Sequence, residues 1–320
     1  MKEGIILRKH SRHLKRKRKK KFNIYFICIF VFFISVIGVG FYFYCMDGKD
    51  HCSEKIKRAK EHLNKKSEIQ EKKTPLPKYN EKLDVSNDGR LVGAMPESAN
   101  QHGYSSLKVW EILQSNYFPP LEDKKTIFLT FDDGPSGNTE EILAVLSKYK
   151  IKATFFVTGS AVQHNPVKLK KIYEEGHALG NHTFSHVFSI LYPGGVLNFL
   201  NFNNEIEQTE KQIQFVLGES FYTRSIRCPG GSMSWQGMDS LFEDFKNKGL
   251  ASIDWNAVNG DAEGGLKTAS ELVNKCKETA KYGINVILMH DKDEKSETVK
   301  ALPEIIEYYL HQGYQFKILI

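Results

Sequence analysis

The sequence predicts an α/β protein built on a parallel sheet of about seven strands, set behind a membrane anchor and a stalk. Three observations carry that reading. From about residue 126, apolar runs of strand length alternate with segments whose apolar residues recur at the helical period. Residues 22–46, FNIYFICIFVFFISVIGVGFYFYCM, form an uncharged stretch. Ionisable residues collect at the C-terminal ends of the strand-like runs, where parallel α/β folds place their chemistry.

The N-terminal elements follow from charge. Residues 1–21 hold 11 Lys and Arg against the single acid Glu3, so the +7 of the whole chain leaves the other residues at −3. The protein is mildly acidic apart from this arm. The 25 residues that follow are long enough, at about 1.5 Å each, to cross a hydrocarbon core of about 30 Å. The basic arm orients the span with its N-terminus in the cytoplasm and the rest of the chain outside the cell. A cleaved signal peptide is the competing reading, but residues 41–46, FYFYCM, offer no small-x-small site. A basic run abutting a span is explained by the span, so no nucleic-acid partner is expected.

Residues 47–85 are rich in Lys and Glu with Pro75 and Pro77, which reads as a solvated stalk. Residues 86–124 complete a pre-domain segment that packs on the domain edge or forms a flap. Outside the span lie Cys52, Cys228 and Cys276, an odd number with no C-x-x-C; a Cys228–Cys276 bridge stays open.

Residues 125–320 form the catalytic domain. Strands are expected at 126–131, 153–158, 177–181, 225–228, 251–255, 285–290 and 314–319. Helices are expected at 139–149, 166–175, 202–217, 238–248, 268–282 and 298–311. A helix before each later strand implies right-handed crossovers and parallel pairing, in a β/α barrel or an open doubly wound sheet.

Several polar residues then fall on one rim. Asp132 and Asp133 follow the first strand within TFDDGP, His182 and His186 follow the third, Arg227 ends the fourth, Asp254 lies late in the fifth, and His290 and Asp291 end the sixth. A divalent cation would make adjacent carboxylates tolerable, one as ligand and its neighbour as base. The alternative for DDGP is a polar turn capping the helix at 139. His182 and His186 share a face if the turn between them is helical, and two imidazoles with one carboxylate make a three-ligand site. His164, His177 and His311 lack partners in this pattern and read as structural or surface residues.

TFDDGP at 130–135, HTFSH at 182–186, RCPGG at 227–231, DW at 254–255 and LMHD at 288–291 together resemble the five ordered motifs of the polysaccharide deacetylases, carbohydrate esterase family 4. The resemblance implies a distorted (β/α) barrel that removes acetyl groups from N-acetylated sugars with a divalent metal, zinc first, then cobalt, nickel or manganese. It implies Asp132 as catalytic base and Asp133, His182 and His186 as metal ligands. His290 would be the general acid, Asp254 the carboxylate that raises and orients it, and Arg227 the arginine beside the base. Gly230 would help hold the oxyanion through its backbone N–H, with Trp255 and Leu288 walling the acetyl pocket. Two departures stand out: Cys228 and Gly230 replace a frequent Pro and Tyr of the third motif, and Asn256 stands where many relatives have Arg.

An anchored enzyme of this family is expected to act on peptidoglycan N-acetylglucosamine. The alternatives are an exported poly-N-acetylglucosamine or chitin-like oligomer, and a catalytically silent wall-binding relative, against which the intact Asp132, Asp133, His182, His186 and His290 argue. Phe188, Tyr192, Phe199 and Phe202, just after the metal histidines, are candidates to line a glycan groove or to be core of the next helix.

Overall fold

The computed structural model describes residues 97–320. The arm, the anchor at 22–46, the stalk at 47–85 and the pre-domain segment as far as residue 96 lie outside the described residues. Among the described residues no helix is long and apolar enough to cross a membrane.

The main sheet uses β2 (Thr126–Asp132), β3 (Thr154–Val157), β4 (Ala178–Asn181), β5 (Ser225–Ile226), β6 (Ala251–Ser252), β7 (Ala257–Val258) and β8 (Ile284–His290). Their order is β6-β5-β4-β3-β2-β8-β7, and every pairing is parallel. Strand β9 (Gln315–Phe316) pairs with the first two residues of β2, while β3 pairs with its last three. A separate parallel pair joins β1 (Gly103–Tyr104) to β10 (Ile318–Leu319). Among the described residues no pairing joins β6 to β7, so the expected barrel is a curled, open half-barrel.

Period-2 alternation along the central strands divides the interior into two cores. On β2, Ile127, Leu129 and Phe131 face one side with Ile287 and Met289 of β8, under the helices α2 (Thr139–Tyr149), α8 (Ala269–Thr279) and α9 (Ser296–His311). Phe128 of β2 and Val286 of β8 face the other side with Phe156, Ile226 and Ile253. Leu288 and His290 share that second face by alternation, as do Thr130 and Asp132. Each buried Phe or Leu contributes about 1.5–3 kcal/mol relative to exposure, which outweighs the modest intrinsic preferences of such short strands.

Helix α1 (Ser106–Ser115) lies before the expected domain start, yet Val109 and Trp110 are buried in the second core and Ser106 Oγ bonds Ser225 Oγ at 2.6 Å. Helices α3 (Gly159–His164), α4 (Pro166–Glu174), α5 (Phe188–Leu191), α6 (Phe199–Leu217) and α7 (Asp239–Lys248) complete the set. α2, α4, α6, α7, α8 and α9 fall where the helical period placed them. Both Cys228 and Cys276 are buried free thiols in different cores, which leaves no bridge between them.

Candidate active site

The C-terminal strand ends bring the polar residues together through backbone register. Asp132 is the last residue of β2 and pairs with His290, the last of β8. The chain then turns: the Asp133 N–H donates to Phe156 O at 3.1 Å and the Asp291 N–H to Asp132 O at 2.9 Å. Asp291 is buried and accepts from Ser136 Oγ and Thr139 Oγ1, each at 2.6 Å, so it ties the turn after β2 to the end of β8. A Cβ on Gly134 would sit 2.8 Å from Asp291 Cγ and closer still to Oδ2, so only glycine fits there.

His182 and His186 converge without a helix. Residues 182–186 form a bend in which Thr183 and His186 take positive φ, 64° and 56°. Buried Glu205 of α6 holds it, accepting from the N–H groups of Phe184 (3.1 Å) and Ser185 (2.9 Å) and from Ser185 Oγ (2.6 Å). The Gly159 and Ser160 N–H groups at the start of α3 donate to the carbonyls of Thr183 and Phe184. The spacing brought the two imidazoles together, but by a loop clamped from two helices.

The ligand set suits a divalent cation. One donor atom each from Asp133, His182 and His186 lie within 4.8 Å of one another. Asp133 Oδ1 is buried without a hydrogen-bond partner, 3.6 Å from His182 Nε2 and 3.5 Å from His186 Nε2. His182 Nδ1 lies 2.7 Å from Arg227 O, a pure acceptor, so Nδ1 carries the proton and Nε2 presents its lone pair to the cluster. Burial works against the Asp133 charge, but His182, His186 and Lys292 outweigh it and hold the carboxyl below its usual range. Burial and the neighbouring His182 push His186 down, toward the neutral form a metal takes. Lys292 Nζ stands 3.3 Å from Asp133 Oδ2. An orphaned carboxylate oxygen facing two imidazole lone pairs is a donor set for a zinc-like ion with positions left for water or substrate.

Asp132 is held from one side only. Arg227, fully buried, donates from Nη1 to Asp132 Oδ1 at 2.8 Å and to Thr130 Oγ1 at 2.7 Å, and from Nε to Ile253 O at 2.8 Å. Its guanidinium lies 4.0 Å from the Phe156 ring centroid. Asp132 Oδ2 is left toward the cluster, 3.7 Å from His182 Nε2.

The carboxylate that meets His290 is Asp261, where the sequence reading had placed Asp254. His290 Nδ1 lies 2.8 Å from Asp261 Oδ1, and Asp261 Oδ2 accepts from the His290 N–H (2.9 Å) and Thr298 Oγ1 (2.8 Å). Burial opposes charge on His290, but the Asp261 hydrogen bond and charge, aided by Asp132 and Asp133, raise its pKa above the ordinary value. Asp254 instead accepts from the Ser232 N–H at 3.0 Å and from Ser232 Oγ at 2.6 Å. It fastens the turn after β5 that carries Gly230. The reason for the misplacement is β7: a two-residue strand leaves no periodic trace, so the loop that ends in Asp261 was not recognised as a strand end. Asn256 immediately precedes that strand, donating from Nδ2 to Ile284 O at 3.0 Å and accepting from the Val286 N–H at 2.8 Å. The available signal was the second aspartate of the segment, seven residues beyond Asp254.

Of the remaining expected residues, Gly230 has φ 75° and sits in the turn after β5. Trp255 packs over the same turn, its Cη2 only 3.0 Å from where a Gly231 Cβ would stand. Leu288 is buried two residues before His290 on β8.

Known proteins are similar to this chain in sequence and fold. A family model described as polysaccharide deacetylase matches residues 121–242. A peptidoglycan-N-acetylglucosamine deacetylase of Bacillus cereus is 32% identical over 202 residues, which cover 61% of this chain and 86% of that protein. The chain belongs to the polysaccharide deacetylase family. It is a hydrolase of amide bonds, a polysaccharide N-deacetylase. A carbohydrate esterase family 4 structure from Streptococcus mutans matches the deacetylase with a TM-score of 0.66 at 35% identity, over 71% of this chain and 96% of that one. The catalytic domain of a peptidoglycan N-acetylglucosamine deacetylase from Eubacterium rectale matches with a TM-score of 0.56 at 30% identity, over 65% and 94%.

Proposed function

We propose that this enzyme removes acetyl groups from N-acetylglucosamine of peptidoglycan at the outer face of the cell membrane, with a zinc-like ion held by Asp133, His182 and His186. The observation that carries the reading is the convergence of these three donors at one rim, flanked by Asp132 with Arg227 and by His290 with Asp261. The substrate is supported by the Bacillus cereus and Eubacterium rectale relatives, both peptidoglycan N-acetylglucosamine deacetylases. The location is supported by the uncharged run at 22–46 behind its basic arm, which would tether residues 47 onward outside.

When bound, the divalent ion would act as a Lewis acid on the amide carbonyl and on the attacking water. Asp132 takes the proton of that water through Oδ2, while Arg227 fixes Oδ1 and keeps the carboxylate from turning away. The Gly230 backbone N–H donates to the oxygen that becomes anionic, and the Asp254–Ser232 bonds hold the turn that presents it. An amine leaves poorly as an anion, so the departing nitrogen needs a proton. His290 supplies it, kept charged by Asp261. Trp255 and Leu288 wall the acetyl methyl.

Acetate release from purified peptidoglycan and from N-acetylglucosamine oligomers tests this. Metal-dependent release that is lost in Asp132→Asn is expected, with peptidoglycan the better substrate. Faster release from the free oligomers would transfer the assignment to an exported polymer.

A further inference from the structure

The turn that carries Gly230 has its missing side chain replaced from elsewhere in the chain. A Cβ on Gly230 would lie 3.1 Å from Trp235 Cζ2 and 3.5 Å from Phe188 Cζ. With φ at 75° and the Trp235 ring this close, a side chain at position 230 would be strained and would push the indole back by a few tenths of an ångström. Phe188 reaches across to the ligand cluster as well: its ring centroid is 5.3 Å from that of His186 and 5.2 Å from that of Trp235.

This wall is built, not incidental. Trp235 donates from Nε1 to Pro229 O at 2.8 Å and stacks on buried Tyr192 at 4.1 Å with an interplanar angle of 8°. The two segments that carry the rings are laced together, Leu197 N–H to Gln236 O at 2.9 Å and Gln236 N–H to Gly195 O at 3.0 Å. Phe188 remains 44% exposed, as does Phe199 at 41%, while Tyr192 and Phe202 of the same segment are buried as core; it is Phe188 that packs against His186. The exposed phenyl ring thus lies between the fixed indole of Trp235 and the ligand His186.

We propose that Phe188, backed by Trp235, is the specificity-determining platform on which the apolar C–H face of a substrate pyranose stacks. The proposal rests on the deacetylase mechanism above. An acetamido carbonyl placed between the Asp133, His182, His186 cluster and the Gly230 N–H brings its sugar against Phe188, whose ring lies beside His186 and over Gly230. The preferred ligand class is therefore an equatorially substituted, β-linked N-acetylhexosamine chain, whose pyranose faces are flat and carry only C–H bonds.

The test compares the full chain with Phe188→Ala, Phe188→Leu and Phe188→Tyr, using the N-acetylglucosamine tetramer and measuring acetate release and bound metal. Expected is a KM raised about tenfold in Phe188→Ala (about 1.4 kcal/mol), an intermediate Phe188→Leu, a near wild-type Phe188→Tyr, and unchanged kcat and metal content. An unchanged KM in Phe188→Ala, or a Phe188→Tyr as impaired as Phe188→Ala, would overturn the platform. If the wild type itself releases no acetate, the deacetylase reading fails, and calorimetric titration with the same tetramer decides the platform separately. Weaker binding by Phe188→Ala than by wild type supports it, and equal or absent binding refutes it.

Discussion

Asp261→Asn separates the observed acid–base pair from the one expected at Asp254. The carboxylate of Asp261 works on two sides: Oδ1 meets His290 Nδ1 at 2.8 Å, and Oδ2 accepts from the His290 N–H and Thr298 Oγ1 at 2.9 and 2.8 Å. An asparagine has one acceptor oxygen, so its NH2 must be turned against one of those donor groups and that side is lost. The charge is lost as well. Burial, which works against the imidazolium, stays in place, while the strongest of the influences that raise the His290 pKa disappears. That pKa therefore falls. A general acid must be protonated, so activity declines as pH rises through its pKa, and in the variant the alkaline limb of kcat/KM moves to lower pH. Near neutral pH the loss is on the order of 10²-fold, the usual contribution of a general acid. Asp254→Asn, which touches Ser232 and not His290, leaves that limb at its wild-type position. Acetate release from N-acetylglucosamine tetramer, followed from about pH 5 to 9 for all three proteins, is the assay. An Asp261→Asn limb that coincides with wild type, or a limb shifted by Asp254→Asn instead, would refute the reasoning.

Gly134→Ala drives a methyl group into the Asp291 carboxylate; urea denaturation should show a loss of about 1–3 kcal/mol, and acetate release should fall with it. His177 is buried, accepts the Ala153 N–H on Nδ1 at 3.1 Å and is pushed down to about 3, chiefly by burial. The unfolded imidazole takes its proton near 6.5 and the folded one only near 3, so this contribution is complete above pH 6.5 and is lost toward pH 3. The slope is at most about 1.4 kcal/mol per pH unit, and urea titrations of chelated protein at several pH values should show it reduced in His177→Gln. His182→Ala removes one of the three donors: elemental analysis should find about one metal per wild-type chain and almost none in the variant. Chelation of the wild type should abolish acetate release, with recovery on adding zinc or cobalt.

The difference between legible and hidden residues has a physical basis. Asp132, Asp133, Arg227 and His290 sit within a residue of strand ends. A strand of seven residues buried on both faces, such as β2 or β8, leaves a largely apolar run of strand length in the sequence. The two-residue strand β7 leaves none, and Asp261 was hidden with it. Glu205 was hidden for another reason: it reads as one polar residue of a helix, and its role exists only because α6 lies against the bend at 182–186. Helix α1 carries an apolar face of Leu107, Val109, Trp110, Ile112 and Leu113, but that it belongs to the domain follows only from its packing on Phe242 and the second core.

By itself the sequence determined the parallel α/β class, the positions of the long strands and helices, the H-x3-H pair and the two adjacent carboxylates. Each is a local pattern of spacing and polarity that a chain carries before it folds. The tertiary structure alone decided which aspartate serves His290, that the half-barrel stays open between β6 and β7, that a clamped loop and not a helix aims the two histidines, and that Phe188 and Trp235 lie over Gly230. Those are contacts between segments tens of residues apart, and their distances are set by packing that no single stretch of sequence contains.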